Sequence, residues 1–200
     1  MRGAVLAGGT ASRFGGIPKG LESVGGERIL DRVVRSLQDA TGSAPLLVAN
    51  APEAAEWRPD LEVVPDAIRN CGSLGGIYTA LTAGEGPVLV AAWDMPFLTS
   101  DLLTALMEAS AEFDACLPAG TGAAGLEPLC AVYGPACKAP IRERLAGEDF
   151  RASGFLDDVN AGTLALEKVS QHGDPSTLFF NVNTTADLAT AQELWRNQQG

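Results

Sequence analysis

An α/β fold, with helices packed on a largely parallel sheet, is what the hydrophobic pattern of this chain predicts, and three observations carry it. Short apolar runs of strand length alternate with segments whose apolar residues recur every three or four positions. Glycine-rich turns lead out of two of the early runs, as expected where a strand passes into a helix. The run Val88–Ala92 has no polar residue at all, which marks a strand buried on both faces and places it near the sheet centre. Two hundred residues, 46% of them hydrophobic, suit one domain spanning 1–200 with a sizeable core.

The elements follow in order. Residues 4–7 form the first strand, and Leu30, Val33, Val34 and Leu37 recur at helical spacing in a helix that closes near Gly42. Residues 46–49 give a second strand and residues 61–64 a third, bounded by Pro59 and Pro65. A helix over 75–83 is entered through a glycine turn. After the central strand, Leu102, Leu103, Leu106 and Met107 mark a helix for which Thr99, Ser100 or Asp101 can serve as N-cap. Residues 115–117 and 129–133 read as strands joined by a loose glycine-rich connection, and 136–145 as a helix. Residues 164–169 are expected as an edge strand, 179–182 as a last strand, and 185 to about 196 as the C-terminal helix.

Composition excludes several function classes. No apolar run approaches the roughly 18 residues needed to cross a bilayer, and Met1-Arg2-Gly3 leads straight into the first strand without the pattern of a signal peptide. A soluble cytoplasmic protein is expected. The net charge of −11 argues against nucleic acid or an anionic membrane as partner. Residues 1–35 nevertheless hold six cations against three acids, a net of +3 that leaves −14 for the rest, which is compatible with a small anionic ligand bound at one place. Cys71, Cys116, Cys130 and Cys137 form no C-x-x-C pair and read as idle thiols. With His172 the one histidine and no G-x-S-x-G elbow, neither a histidine metal cluster nor a Ser-His-Asp triad is indicated. Chemistry must come from carboxylates, cations and a metal ion.

The segment VLAGGTASRFGGIPKG, residues 5–20, is the sharpest motif. Gly8, Gly9, Gly15 and Gly16 let the backbone approach a ligand closely, while Arg13 and Lys19 supply positive charge. Converging N–H groups and two cations suit a polyphosphate. Lys19 lies between Pro18 and Gly20, so the loop is not a Walker A motif, and the glycine spacing is not that of a dinucleotide fingerprint. The pattern resembles the signature loop of nucleotidyltransferases that attach a nucleoside monophosphate to a phosphorylated acceptor.

Ligands of an open α/β sheet bind beyond the carboxyl ends of its strands. Asn50, Asp66, Asp94, Asn181 and Asn183 all lie at the ends of expected strands and together form a candidate site, although each alone could be a turn former or helix cap. Asp94 in Trp93-Asp94-Met95-Pro96 leaves the central strand with a stiffened turn behind it, and one carboxylate plus substrate phosphates is a common way to hold Mg²⁺. Gly72-Ser73-Leu74-Gly75-Gly76-Ile77, preceded by Asp66, Arg69 and Cys71, can press its backbone against a base or ribose.

Taken in order, the loop ending at Lys19-Gly20-Leu21, Pro65-Asp66 with Gly75-Gly76-Ile77, Trp93-Asp94-Met95-Pro96-Phe97, Glu127-Pro128-Leu129-Cys130-Ala131-Val132-Tyr133 and Phe180-Asn181-Val182-Asn183-Thr184 resemble the molybdenum cofactor guanylyltransferase family, MobA. The resemblance runs from residue 5 to about 188. It implies a three-layer Rossmann-like nucleotidyltransferase fold with a mostly parallel mixed sheet, and transfer of GMP from GTP to Mo-molybdopterin with release of pyrophosphate. It also implies that Leu6, Ala7, Gly8, Gly9, Lys19, Asn50, Asp66 and Asp94 contact the nucleotide and that Asp94 holds Mg²⁺, or Mn²⁺ in its place. Asn181 and Asn183 are similar to acceptor-side residues. Transient contact with proteins that deliver the cofactor or mature molybdoenzymes fits the same picture.

Read alone, the chemistry agrees. Attack of one phosphate on the α-phosphorus of another anion is catalysed by charge neutralisation and in-line positioning, for which Arg13, Lys19 and Asp94 suffice without a protein nucleophile. The chain departs from many relatives in carrying Ala11 where they have Ser, and Pro18 before the lysine. Any hydroxyl contact must then come from Thr10 or Ser12. The choice of guanine rests mainly on Gly9, where a larger side chain would crowd a purine. The alternatives are a molybdopterin cytidylyltransferase or sugar-phosphate nucleotidyltransferase, and a non-catalytic nucleotide-binding accessory protein.

Overall fold

The computed structural model describes residues 1–8, 18–120 and 125–199. In chain order the elements are β1 (Arg2–Leu6), the hairpin β2 (Ser23–Val24) and β3 (Glu27–Arg28), α1 (Ile29–Thr41), β4 (Leu46–Val48), α2 (Ala54–Trp57), β5 (Val63–Val64) and α3 (Gly72–Thr82). There follow β6 (Val88–Ala92), α4 (Ser100–Ala109), β7 (Ala115–Pro118), β8 (Cys130–Tyr133), α5 (Lys138–Ala146), β9 (Ala161–Leu164), the short α6 (Leu166–Val169) and α7 (Pro175–Leu178), and α8 (Thr185–Gln198). None of the described helices is long and apolar enough to cross a membrane.

Seven strands form one sheet in the order β5-β4-β1-β6-β8-β7-β9. β8 runs antiparallel to both of its neighbours and every other pairing is parallel, so the sheet is mixed but mostly parallel. β6 is the central strand, as its unbroken apolar run predicts. The side chains of each strand alternate between two cores. Val5, Leu47, Leu89 and Ala91 pack under α1 and α4 with Val33, Leu37, Leu102 and Leu106. Ala4, Leu6, Leu46, Val48 and Val90 pack under α3 and α5 with Leu74, Ile77, Leu81, Ile141 and Leu145. Both faces are covered, which gives three layers and explains why these strands show no polar alternation. Each fully buried Leu or Ile contributes about 1.5–3 kcal/mol, so Leu37→Ala, at a position with no exposure, should cost about 2–5 kcal/mol.

Local signals end the helices where expected. Gly42 takes a left-handed φ of 70° and its N–H closes α1 on the Gln38 carbonyl at 2.8 Å. Thr99 Oγ1 accepts from the Leu102 N–H at 3.3 Å and caps α4. From β1 the chain passes through α1 to β4 on one side, then through α3 on the opposite face to β6 on the other side of β1. This reversal opens a crevice at the carboxyl ends of β1 and β6, where a doubly wound sheet binds its ligand.

Several expected elements differ. The strand expected at 164–169 lies earlier, at Ala161–Leu164, and Leu166–Val169 is a helical turn; β9 is an edge strand as expected, with alternating exposed and buried residues. Residues 179–182 form no strand: α7 ends at Leu178 and the chain runs irregularly to α8. Phe179 and Val182 are buried against the helical layer, so their apolar character reflects packing and not sheet pairing. The third strand is shorter than 61–64, and α5 is preceded by a 3₁₀ turn, Pro135–Cys137. All four cysteines are free and buried, and burial pushes the Cys137 thiol up to about 11, which leaves it inert.

Candidate active site

Three distant stretches of chain meet at the carboxyl end of the crevice. The first comes in after the segment that follows β1: Lys19 opens a 3₁₀ turn, Lys19–Leu21, whose Leu21 N–H is bonded to the Pro18 carbonyl at 2.9 Å. The second is the turn after β6. The Trp93 N–H donates to the Leu6 carbonyl at 3.2 Å, which extends the β1–β6 pairing by one bond and leaves Asp94 directly over the crevice. The third is the approach to α8, where the Val182 N–H donates to the Asp94 carbonyl at 2.9 Å.

Lys19 Nζ forms an ion pair with Asp94 Oδ2 and donates to Asn183 Oδ1 at 2.8 Å. The Asp94 side chain is 9% exposed and that of Lys19 20%, so the pair is far less screened than a surface pair. Asp94 Oδ1 is buried and has no hydrogen-bond partner among the described residues. A buried carboxylate oxygen left bare costs about 1–3 kcal/mol or more, and a hard cation is the partner it is chemically suited to accept. Among the described residues no group of three or more His, Cys, Asp or Glu could enclose a metal. The donor set therefore fits an ion that brings most of its own oxygen ligands, such as Mg²⁺ bound to phosphates.

On one flank, Asn50 and Asp66 bridge the ends of β4 and β5. Asn50 Nδ2 donates to Asp66 Oδ2 at 2.7 Å and the Asp66 N–H donates to Asn50 Oδ1 at 2.9 Å. Asn50 is exposed and Asp66 half-buried, and Asp66 Oδ1 is not used in this exchange. The opposite flank carries Glu127, whose N–H donates to the Pro118 carbonyl at 3.1 Å beyond β7. Burial pushes the Glu127 carboxyl above its ordinary value.

Of the residues singled out from sequence, the fold therefore unites Lys19, Asp94 and Asn183, with Leu6 and Ala7 at the end of β1, Gly8 exposed just beyond, and Asn50 with Asp66 alongside. Asn181 is not bonded into this centre: its Nδ2 donates to the Phe179 carbonyl at 2.9 Å. Gly9 and Arg13 lie outside the described residues, as do Thr10, Ala11 and Ser12. Two glycines of the second turn make packing contacts. Gly76 brings α3 to within 3.4 Å of the Leu6 side chain for an added Cβ, and Gly75 lies against Cys71, so both serve helix packing. His172 sits in a 3₁₀ turn, as a loop residue would.

Sequence reasoning missed Gly20 and Trp93. The indole of Trp93 stacks on Trp57 at 5.2 Å between ring centroids and lies so close over Gly20 that an added Cβ would sit 2.3 Å from it. The available signal was a glycine next to Lys19 and an aromatic next to Asp94. Two cavities, of about 490 and 590 Å³, lie elsewhere, one between α1 and α8 lined by Arg32, Phe97 and Trp195, the other at the amino ends of β1 and β6. Neither is lined by Lys19 or Asp94, and the polar convergence marks the site better than the volume of a cavity does.

Comparison with known proteins bears on this geometry. A family model described as a MobA-like NTP transferase domain matches residues 3–161. A probable molybdenum cofactor guanylyltransferase of Pelotomaculum thermopropionicum is 34% identical over 198 residues, covering 98% of this chain and 94% of the relative. A molybdenum cofactor guanylyltransferase of Nitrobacter hamburgensis is 34% identical over 200 residues, covering 96% and 93%. Among solved structures, molybdopterin-guanine dinucleotide biosynthesis protein A from Archaeoglobus fulgidus superposes with a TM-score of 0.82 at 27% identity, over 98% of this chain and all of that one. A 4-diphosphocytidyl-2C-methyl-D-erythritol synthase from Anaerococcus prevotii has the same fold, with a TM-score of 0.73 at 14% identity and 98% and 95% coverage.

Proposed function

This chain belongs to the MobA-like NTP transferase family, and from that premise we propose that it transfers GMP from GTP to the phosphate of molybdopterin carrying molybdenum. The products are the guanine dinucleotide form of the cofactor and pyrophosphate. An acceptor phosphate oxygen bonds to the α-phosphorus of GTP while the bond from that phosphorus to the oxygen bridging the β-phosphate breaks, and the electron pair leaves with pyrophosphate.

The observation that carries the reading is the Lys19–Asp94 pair over the β1–β6 crevice, with one buried carboxylate oxygen unpartnered among the described residues. Asp94 would hold a divalent ion, Mg²⁺ or Mn²⁺, which when bound neutralises charge on the phosphates. Lys19, on its flexible stem, binds the phosphates as a mobile point charge, and Arg13, six residues earlier in the sequence, is assigned as a second cation. Attack between two anions is slow because they repel, so these charges lower the barrier by acting where negative charge accumulates. Leu6, Ala7 and Gly8 bring the backbone against the nucleoside, and Gly9 is assigned to the same contact from its place in the sequence. Asp66, oriented by Asn50, offers its free oxygen to the N–H donors of guanine. Asn181 and Asn183 face the acceptor side. We place the reaction in the cytoplasm, with transient contacts to proteins that deliver the cofactor or mature its enzymes.

The test is pyrophosphate release from GTP, Mg²⁺ and molybdopterin, by the wild type and by Asp94→Asn. Release is expected to fall by a factor of about 100 or more in the variant. Undiminished release would remove Asp94 from the metal site. Faster release with CTP or UTP than with GTP would move the chain to a sister activity.

A further inference from the structure

Lys19 contacts a second oxygen besides that of Asp94. Its ammonium is shared between Asp94 Oδ2 and Asn183 Oδ1, two oxygens that belong to parts of the chain far apart in sequence. Asn183 is itself held in place. Its N–H and that of Thr184 donate to Asp187 Oδ2 at 2.9 and 2.8 Å, and Thr184 Oγ1 accepts from the Asp187 N–H at 3.1 Å, closing the capping box of α8. One residue earlier, the Val182 N–H is tied to the Asp94 carbonyl at 2.9 Å. The backbone of Asn183 is therefore held relative to that of Asp94, and the two side chains present a pair of oxygens that a single positive charge joins.

That arrangement does more than neutralise a buried carboxylate. The Asp94 charge is already balanced by the ammonium on Oδ2, so a divalent ion arriving alone at Oδ1 meets a neutral pair and a cation in contact with the same carboxylate. A triphosphate changes this, because it offers the ammonium a more negative partner and brings the oxygens that a hard divalent ion requires. Lysine suits such a transfer, having a compact charge on a stem of four carbons.

We infer that Asn183 is a positioning residue that holds the Lys19 ammonium on Asp94 Oδ2 in the nucleotide-free protein, so that the carboxylate is already neutralised and the divalent ion, to be taken by Oδ1, enters with the nucleotide and not before it. The inference deepens the proposed function and rests on its reading of Asp94.

Mn²⁺ titrations of the nucleotide-free protein, followed by the electron paramagnetic resonance of the free ion, test it. Wild-type protein should bind Mn²⁺ weakly. A contacting opposite charge changes the affinity of a carboxylate for a proton by roughly one to three powers of ten, and a competing metal ion should respond on a similar scale. Lys19→Met is therefore expected to bind Mn²⁺ about tenfold or more tightly than wild type, and Asn183→Ala to show a smaller gain. Asp94→Asn added to Lys19→Met should return binding to the wild-type level, which locates the ion. Tight Mn²⁺ binding by nucleotide-free wild type overturns the inference, as does the absence of a gain in either folded single variant. If Lys19→Met does not fold, Asn183→Ala decides alone. These titrations contain no GTP or acceptor, so a failed guanylyltransferase assay and a failed inference are separate results.

Discussion

Replacing Gly20 with alanine should damage stability and turnover together, for a reason that can be worked from the contacts. Gly20 does not take a left-handed backbone conformation, so the issue is space alone. An added Cβ would lie 2.3, 2.6 and 3.0 Å from three carbons of the Trp93 indole. Carbon atoms pack comfortably at about 3.5–4.0 Å, so the ring would have to withdraw by roughly 1 Å. It has little room to do so, being 4% exposed and stacked on Trp57. Overpacking of this kind costs about 1–3 kcal/mol, and for a domain of this size each kcal/mol lowers Tm by roughly 2–4 °C. A fall of roughly 2–12 °C is expected by calorimetry. Gly20 adjoins Lys19 and Trp93 adjoins Asp94, so the same displacement spreads the ion pair. Misplacement by about 1 Å can cost about 100-fold in rate, measured here as pyrophosphate release. An alanine variant with the wild-type Tm and the wild-type rate would refute the argument.

Two further predictions concern the flank of the site and the helix that supports it. Burial raises the Glu127 carboxyl in the folded protein, so the stability tied to its protonated form is present below the ordinary value of 4.5 and is lost as pH rises through the raised folded value. Glu127→Gln, neutral throughout, should gain stability relative to wild type in urea titrations as pH rises above 4.5; a relative loss over the same rise would contradict the assignment. Thr184→Ala removes the cap that accepts from the Asp187 N–H and should cost about 1 kcal/mol, with Thr184→Ser retaining most of it. Equal melting temperatures for Thr184→Ala and wild type would mean the capping box contributes nothing.

How much of this could be read in advance depends on the range of the interaction. Strands and helices that announce themselves within a few residues were legible: the apolar run of β6, the helical spacing of α1 and the glycine that stops it, the threonine that caps α4. Short apolar stretches outside that pattern were not. Residues 179–182 look like a strand because Phe179, Phe180 and Val182 are apolar, yet they are apolar in order to fill the helical layer. Periodicity cannot tell a short paired run from an unpaired one. For the site, the sequence by itself determined which groups are present: a cation after β1, a carboxylate after β6, two asparagines before α8. The tertiary structure alone decided that Lys19, Asp94 and Asn183 touch, that the Asn181 amide bonds to the Phe179 carbonyl, and that Gly20 makes way for an indole. Those contacts span 75 and 164 residues. They arise because the sheet reverses its winding between β1 and β6 and the chain returns across that point, a property of topology that no local pattern encodes.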